Sequence, residues 1–492
     1  MPDAIRFVLD GKVRELSGVD PTLTVLRWLR EVERRSGTKE GCAEGDCGAC
    51  TVVLAELEGG GLRYRAVNAC ILFVPALDGK ALITVEDVKG ADGGLHPVQK
   101  AMVECHASQC GFCTPGFVMS LVALYESEPE PSRQRLDDVL AGNLCRCTGY
   151  RPIVDAGREA YASGEPRALA AQAASLAALL RSIQREDARP LALEHGGRRF
   201  FAPRTLAALA DLLQRHPGAR LVAGATDVGL WVTKGHRALD TVISTAAVEE
   251  LRRITVGDTH VELGAAVTYA DAHATLAAQY PDLGELVRRI GSLQIRNAGT
   301  LAGNIANASP IGDTLPALLA LDATLVLQQG IVRREVPLDG FFTGYRKTAL
   351  REGELIATIR LPVRSEERAF RAYKISKRFD QDISAVCGAF SVTLADRRVR
   401  DVRVAFGGVA ATPVRARGCE RALLGRPWDA ASIAAALPVL DAELAPISDA
   451  RATAAYRRLV AKNLLRKFQL ETAPEGAAPA SATRVLARAE EA

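Results

Sequence analysis

Nine of the eleven cysteines in this 492-residue chain fall within its first 147 positions, and no other feature constrains the fold as tightly. They are Cys42, Cys47, Cys50, Cys70, Cys105, Cys110, Cys113, Cys145 and Cys147; Cys387 and Cys419 stand alone later. The opening "MPDAIRFVLDGKVREL" alternates apolar and polar residues and lacks the apolar core of an export signal. No run approaches the roughly 18 apolar residues of a membrane span. A cytoplasmic protein with no membrane segment is therefore expected. In such a chain clustered cysteines point to metal ligation rather than disulfides. With 48% hydrophobic and 24% charged residues the chain reads as globular, and its length suits three or four domains. Net charge is only +4 and no Lys/Arg block is interleaved with aromatics, so no nucleic-acid partner is expected.

The first group lies in "GCAEGDCGACTVV": Cys42-x4-Cys47-x2-Cys50, with Cys70 following after 19 residues. That is the plant-type spacing of a [2Fe–2S] site. Four thiolates converging on two irons need a loop that wraps closely around them. Gly41, Gly45 and Gly48 permit the close approach and unusual dihedrals this demands. Zinc sites favour paired short spacings, which this triplet with a distant fourth ligand does not match.

The second group pairs Cys110-x2-Cys113 in "QCGFCTPG" with Cys145-x-Cys147 in "LCRCTGYRP". Each pair precedes a predicted helix, whose free N–H groups favour thiolates. A redox dithiol would want a βαβ context, and this region reads all-helical. Spacing alone leaves iron–sulfur, zinc and structural thiols all open. Cys105, Cys387 and Cys419 fit no ligand spacing and read as small buried hydrophobes.

Residues 1–80 read as a small sheet crossed by one helix. A hairpin over 5–16 turns at Asp10-Gly11; a helix follows Asp20-Pro21, and strands are expected at Thr51–Leu57 and Ala69–Val74. Residues 85–162 read as four short helices, opened by first-turn prolines at 97, 115 and 152, with Thr114 as a cap. Residues 163–190 are Ala-rich and read as a linker with some helix. From 191 to 366 strand and helix mix, including a strand–turn–strand in "RLVAGATDVGLWV". Residues 367–472 hold an antiparallel pair, Ala385–Leu394 with Val399–Phe406, then a basic helix over Asp449–Phe468. Residues 473–492 read as a disordered tail.

No Gly-x-Gly-x-x-Gly opens a helix and no P-loop is present, so a classical dinucleotide-binding domain is not supported. Two small-residue loops, "LVAGATDVGL" (221–230) and "NAGTLAGNIANASPIGD" (297–313), could let backbone N–H groups approach a pyrophosphate. By composition alone ordinary turns are the simpler reading.

The order of these motifs, with "QCGFCTPG" and "GNLCRCTGYRPI", resembles the molybdenum hydroxylases: xanthine dehydrogenases, aldehyde oxidases and carbon monoxide dehydrogenases. The resemblance implies a multidomain α+β fold with four parts: a β-grasp ferredoxin-like domain, a four-helix [2Fe–2S] domain, an α+β FAD-binding domain and a C-terminal α+β domain with a small antiparallel sheet. It assigns Cys42, Cys47, Cys50 and Cys70 to one [2Fe–2S] cluster, and Cys110, Cys113, Cys145 and Cys147 to another. It places Gln109 near the pterin of a molybdenum cofactor. It implies FAD contacts at Leu221, Val222, Ala223, Gly224, Ala225, Thr226, Asp227 and Val228, then at Thr300, Leu301, Ala302, Gly303 and Asn304. Asp313, Ile356 and Lys374 follow. Ile290 stands where animal-type relatives carry an aromatic. Fusion of both cluster domains to a flavin domain is similar to the small subunit of bacterial xanthine dehydrogenases. That resemblance implies a molybdopterin-binding large subunit as partner, NAD+ as acceptor and a heterotetramer of two small and two large subunits. The activity implied is oxidation of hypoxanthine and xanthine to urate. The alternatives are the same role in a hydroxylase of aldehydes or other N-heterocycles, a free-standing NADH–ferredoxin-type reductase, and a zinc-stabilised scaffold.

Overall fold

A computed structural model describes residues 3–89, 93–165, 167, 169–185, 189–474 and 476–484. The chain divides into two compact units: Met1–Glu250 with Thr268–Ala270 and Gly291–Thr300, and Leu251–Val267 with Asp271–Ile290 and Leu301–Ala492.

In the first unit, β1 (Ile5–Leu9) and β2 (Lys12–Leu16) form the expected hairpin. Asp10 (φ 54°) and Gly11 (φ 64°) both take the left-handed conformation that a type I′ turn requires. A short helix α1 (Val25–Arg27), capped by the Thr24 hydroxyl, runs on as a π-helical turn over Trp28–Val32. Trp28 packs edge-on against Phe7. The sheet is completed by β3 (Thr51–Glu58), β4 (Gly61–Asn68) and β5 (Ala81–Ile83), in the order β2-β1-β5-β3-β4. β5 is parallel to β1 and antiparallel to β3, the mixed arrangement of a β-grasp sheet.

The strand expected at Ala69–Val74 does not form; these residues make a turn that leads into a 3-10 helix at Val74–Leu77. Their backbone groups are used elsewhere: Ala69 N–H donates to Cys50 C=O, while the carbonyls of Ala69 and Leu72 accept from Leu26 and Val25. Those bonds occupy groups that a ladder would need.

Four helices follow as expected: α2 (Pro97–Glu104), α3 (Thr114–Ser127), α4 (Arg133–Leu140) and α5 (Arg151–Ala162). Proline occupies the first turn of α2, α3 and α5. Helix α3 begins one residue earlier than its proline suggested. Cys113 holds the cap position, and the Thr114 hydroxyl pairs with Ser108 instead of capping. The stretch read as a linker contains α6 (Ala170–Ile183), whose Leu180 and Ile183 are buried in one core with Val8, Val53 and Phe117. It is a packed element rather than a tether; residues 166, 168 and 186–188 lie outside the described ones.

Next come β6 (Leu191–His195), β7 (Arg198–Ala202), α7 (Leu206–Arg215), β8 (Arg220–Val222), α8 (Val228–Thr233) and β9 (Thr241–Ser244), with the strands ordered β6-β7-β9-β8. The second strand expected in "RLVAGATDVGLWV" is helix α8. Asp227 accepts from Trp231 Nε1 at 3.0 Å, and Gly229 N–H donates to Ala225 C=O at 2.7 Å, both i,i+4 closures that suit a helix.

The second unit holds a five-stranded antiparallel sheet, ordered Ile254–Val256, His260–Gly264, Leu355–Pro362, Thr324–Gln329, Val332–Pro337. A four-stranded antiparallel sheet follows: Arg368–Ile375, Val386–Ala395, Arg398–Gly407 and Val414–Arg415. Asp396 and Arg397, both at positive φ, make the tight turn that joins the expected antiparallel pair. Phe390 and Phe406 of this sheet are buried with Ile433 and Leu437 of helix Ala430–Glu443 and Leu465 and Phe468 of helix Ala454–Glu471. The basic helix thus starts later than Asp449, at the Thr453 cap. Asp449 instead accepts the N–H groups of Arg451 and Ala452 in a turn. The segment read as a disordered tail includes a short helix, Ala480–Thr483. Arg484 there pairs with Asp282 at 2.8 Å, while residues 475 and 485–492 lie outside the described ones.

Candidate functional site

The first cysteine loop runs from the π-helical turn to β3. Cys50 and Cys70 are buried, and Cys42 and Cys47 are half-buried. Ala43 (φ 54°), Gly45 (φ 80°) and Gly48 (φ 69°) wind the loop through left-handed conformations that turn its amides inward. The N–H groups of Glu44, Asp46 and Cys47 reach Cys42 Sγ at 3.3–3.4 Å. Ala49 N–H faces the Cys47 sulfur, and Asn68 Nδ2 stands 3.9 Å from Cys50 Sγ. The sulfurs themselves meet: Cys42 with Cys47 and Cys70, and Cys50 with Cys70. Hydrogen bonds from the Cys47 and Cys70 thiols hold Cys42 well below the usual thiol range, and the bond from Cys70 lowers Cys50 against its burial. A Cβ at Gly41 would lie 2.8 Å from Cys47 Sγ. Four thiols inside a ring of inward N–H donors make a donor set that fits an anionic [2Fe–2S] cluster.

The second group brings together the loop before α3 and the loop before α5. Cys113 meets Cys145, and Cys110 meets Cys147, so each pair takes one sulfur from each loop. Cys110 and Cys147 are exposed. Burial, with Cys145 beside it, pushes the Cys113 thiol up to about 12. Burial opposes ionisation of Cys145 too, but the Thr148 hydroxyl (3.2 Å) and N–H (3.4 Å) outweigh it and lower that thiol. Gln109 Nε2 donates to Cys147 C=O at 3.1 Å and ties the two loops. Leu144 N–H donates to Cys47 C=O at 3.0 Å, linking the second group to the first. Around the exposed sulfurs Phe112, Val103 and Tyr150 are also exposed. Among the described residues no three His, Cys, Asp or Glu side chains are arranged to hold one metal ion; the sulfurs of the second group gather in pairs.

Of the flavin-loop residues, Leu221–Val228 and Thr300 lie in the first unit. Gly224 passes so close to the Ala298–Gly299 peptide that a Cβ there would sit 1.8 Å from Ala298 O. Ala225 has φ 58° and Thr300 is buried. In the second unit, Leu301–Asn307 is a helix with Leu301 and Ala302 buried. Asn304 Oδ1 accepts from the Thr314 hydroxyl at 2.9 Å. Asp313 and Lys374 are both buried and pair at 2.7 Å. Lys374 Nζ also donates to Arg289 C=O, and the Ser384 hydroxyl donates to Asp313 Oδ1 at 2.5 Å. Ile356 is buried in strand Leu355–Pro362. Ile290 N–H closes the end of helix Pro281–Arg288 onto Val287 C=O. Cys387 and Cys419 are buried as expected; Cys105 is half-buried against the helical core.

Sequence reasoning missed four residues packed beside the cysteine loops: Thr51, Ser120, Asn143 and Gln294, all buried and mutually hydrogen-bonded. Asn143 could have been singled out from its place beside Cys145. Gln294, 149 positions beyond Cys145, carries no local signal.

Four family models match consecutive parts of the chain. Residues 7–75 match the 2Fe-2S iron–sulfur cluster binding domain, and 84–158 the [2Fe-2S] binding domain. Residues 194–364 match the FAD binding domain in molybdopterin dehydrogenase, and 371–472 the CO dehydrogenase flavoprotein C-terminal domain. Xanthine dehydrogenase of Emericella nidulans is 34% identical over 482 residues, covering 87% of this chain and 35% of that protein. Xanthine dehydrogenase of Drosophila subobscura is 32% identical over 520 residues, covering 94% of this chain and 39% of that protein. The chain therefore spans well under half the length of these relatives. Among solved structures, the carbon monoxide dehydrogenase of Hydrogenophaga pseudoflava lacking the Mo-pyranopterin moiety superposes with a TM-score of 0.52 at 28% identity. That match covers 55% of this chain and 94% of the other. The chain belongs to the molybdenum hydroxylase family and carries that family's two [2Fe–2S] domains, its FAD-binding domain and its flavoprotein C-terminal domain.

Proposed function

We propose that this chain is the electron-transfer subunit of a cytoplasmic xanthine dehydrogenase. It would work beside a molybdopterin-binding large subunit that oxidises hypoxanthine and xanthine to urate, in a heterotetramer of two small and two large subunits. The observation that carries this reading is the presence of two four-cysteine groups and a matched FAD-binding domain on one chain. When bound, the clusters supply one-electron relays and the flavin supplies hydride exchange with NAD+. The protein's part is to hold and insulate these groups. Cys42, Cys47, Cys50 and Cys70 hold one cluster in a buried loop; Cys110, Cys113, Cys145 and Cys147 hold the other at the surface. That exposure, with exposed Phe112 and Val103 beside it, supports a face covered by the large subunit, where Gln109 approaches the pterin. Leu221–Val228 and Thr300–Asn304 offer backbone N–H groups to FAD, and the Asp313–Lys374 pair sets a fixed polar contact for the flavin. Ile356 and Ile290 supply apolar surface.

The same role beside a hydroxylase of aldehydes or other heterocycles is the second reading, favoured by the fold shared with a carbon monoxide dehydrogenase. Purification of the native complex distinguishes the two. The expected result is a brown preparation containing iron, flavin and a co-purifying molybdenum-bearing chain, with NAD+ reduced by xanthine. The chain alone is expected to keep NADH:dye activity and to lack xanthine hydroxylation. A preparation with neither iron nor flavin would refute the reading. Turnover of aldehydes but not purines would select the alternative.

A further inference from the structure

We propose that Asn143 is a positioning residue that raises the reduction potential of the first cluster by orienting one peptide group of its ligand loop. The proposal rests on the cluster assignment above.

The peptide in question joins Gly48 to Ala49, between ligands Cys47 and Cys50. Its N–H, two residues on from Cys47, faces the sulfur of that ligand. Its carbonyl, on the opposite side of the same plane, accepts from Asn143 Nδ2 at 3.0 Å, Thr51 Oγ1 at 2.6 Å and Thr51 N–H at 3.0 Å. A peptide is planar, so donors that fix its C=O also fix its N–H. Asn143 thus acts on Cys47 from the far side of a rigid plate without touching it.

The direction of the Asn143 amide is itself imposed. Its Oδ1 accepts from the Ser120 hydroxyl at 2.6 Å and from Gln294 Nε2 at 3.1 Å, which leaves only Nδ2 to face Gly48. Ser120 lies on α3, Asn143 in the second cysteine loop and Gln294 in the segment before Thr300. Asn143, Ser120 and Gln294 are each about 1% exposed, so these bonds compete with little water. Glycines clear the space. A Cβ at Gly116 would lie 2.3 Å from Gly48 O, and one at Gly142 would lie 2.1 Å from Gln294 Oε1.

N–H donation to a ligating sulfur favours the more negative, reduced state, so it raises the potential. Loosening the Gly48–Ala49 plate should therefore lower the first cluster's potential.

The test is a redox titration of the full-length, cluster-loaded protein, with each [2Fe–2S] signal followed by electron paramagnetic resonance. Asn143→Leu keeps the branched outline of the side chain and removes the donor. Thr51→Val removes the second side-chain donor to the Gly48 carbonyl from a residue outside the second cysteine loop, and Thr51→Ser keeps it. The expected result is a lowered first-cluster midpoint in N143L and T51V, with the wild-type value in T51S. In T51V the second cluster should stay at its wild-type potential. If N143L fails to load, T51V against T51S still decides. First-cluster midpoints unchanged in loaded T51V and N143L would overturn the proposal, and so would an equal shift in T51S and T51V. Absence of both signals from the wild type would instead overturn the cluster assignment, and this proposal with it.

Discussion

Replacing Lys374 by Met tests the buried pair it forms with Asp313. The two charges lie 2.7 Å apart with side chains 2% and 8% exposed. At an effective dielectric near 20 their attraction is about 6 kcal/mol. Each ion gave up several kcal/mol of hydration to be there, so the pair itself is roughly neutral for stability. Removing only the lysine is not neutral, because it strands a buried carboxylate, typically at about 3–5 kcal/mol. Asp313 keeps the Ser384 hydroxyl on Oδ1, which places K374M near the lower end, about 3 kcal/mol. Asp313→Asn alone strands the lysine, which keeps the Arg289 carbonyl at 3.1 Å. The double variant strands neither, so it should cost less than the sum of the singles by at least about 1 kcal/mol. Hydrogen exchange of strand Val386–Ala395, which follows Ser384, combined with urea titration, measures all three. FAD content should fall in both single variants. Additivity within about 0.5 kcal/mol would refute the reasoning, as would a K374M cost below about 1 kcal/mol.

Gly224→Ala should abolish FAD binding while leaving iron content intact, since its Cβ would lie 1.8 Å from a backbone oxygen that cannot yield; the flavin-to-iron ratio of the purified variant reports this. Burial, with Glu443 and Glu420 nearby, pushes the Cys419 thiol up from 9.0 to about 12, so the folded state holds this proton more tightly than the unfolded state does. Its contribution to stability is complete below about pH 9 and declines as pH rises toward 12. Denaturant titrations across that range should show the decline, smaller in Cys419→Ala, and Cys419 should resist alkylation at pH 8 until the protein unfolds. His96→Ala removes the helix cap on Val98 N–H and leaves the buried Glu126 carboxylate without its 3.1 Å partner. A loss of about 2–3 kcal/mol is expected, read as a lowered Tm with iron still bound.

What could be read in advance followed from local chemistry. The Asp10-Gly11 hairpin and the proline-opened helices depend on a few adjacent residues, and each forms as expected. The Ala69–Val74 strand and the 163–190 linker misled because their outcome depended on distant partners. In the first, α1 takes the backbone bonds; in the second, the sheet and helical core accept Leu180 and Ile183. Strand and helix compete for "DVGLWV" on nearly equal local terms, and the side chain of Asp227 closing on Trp231 favours the helix.

By itself, then, the amino-acid order determined which thiols are available and at what spacing, and through them the family. Ligand chemistry is written in residue type and separation, and those survive any change of context. Only the tertiary structure decided what surrounds the thiols. The pairing of sulfurs across two loops, the burial of one group and exposure of the other, and the Asn143–Gln294 contact behind Gly48 all join residues far apart in the chain. Hydrogen bonds and burial belong to positions in space, and no local pattern records which distant amide will face a given carbonyl.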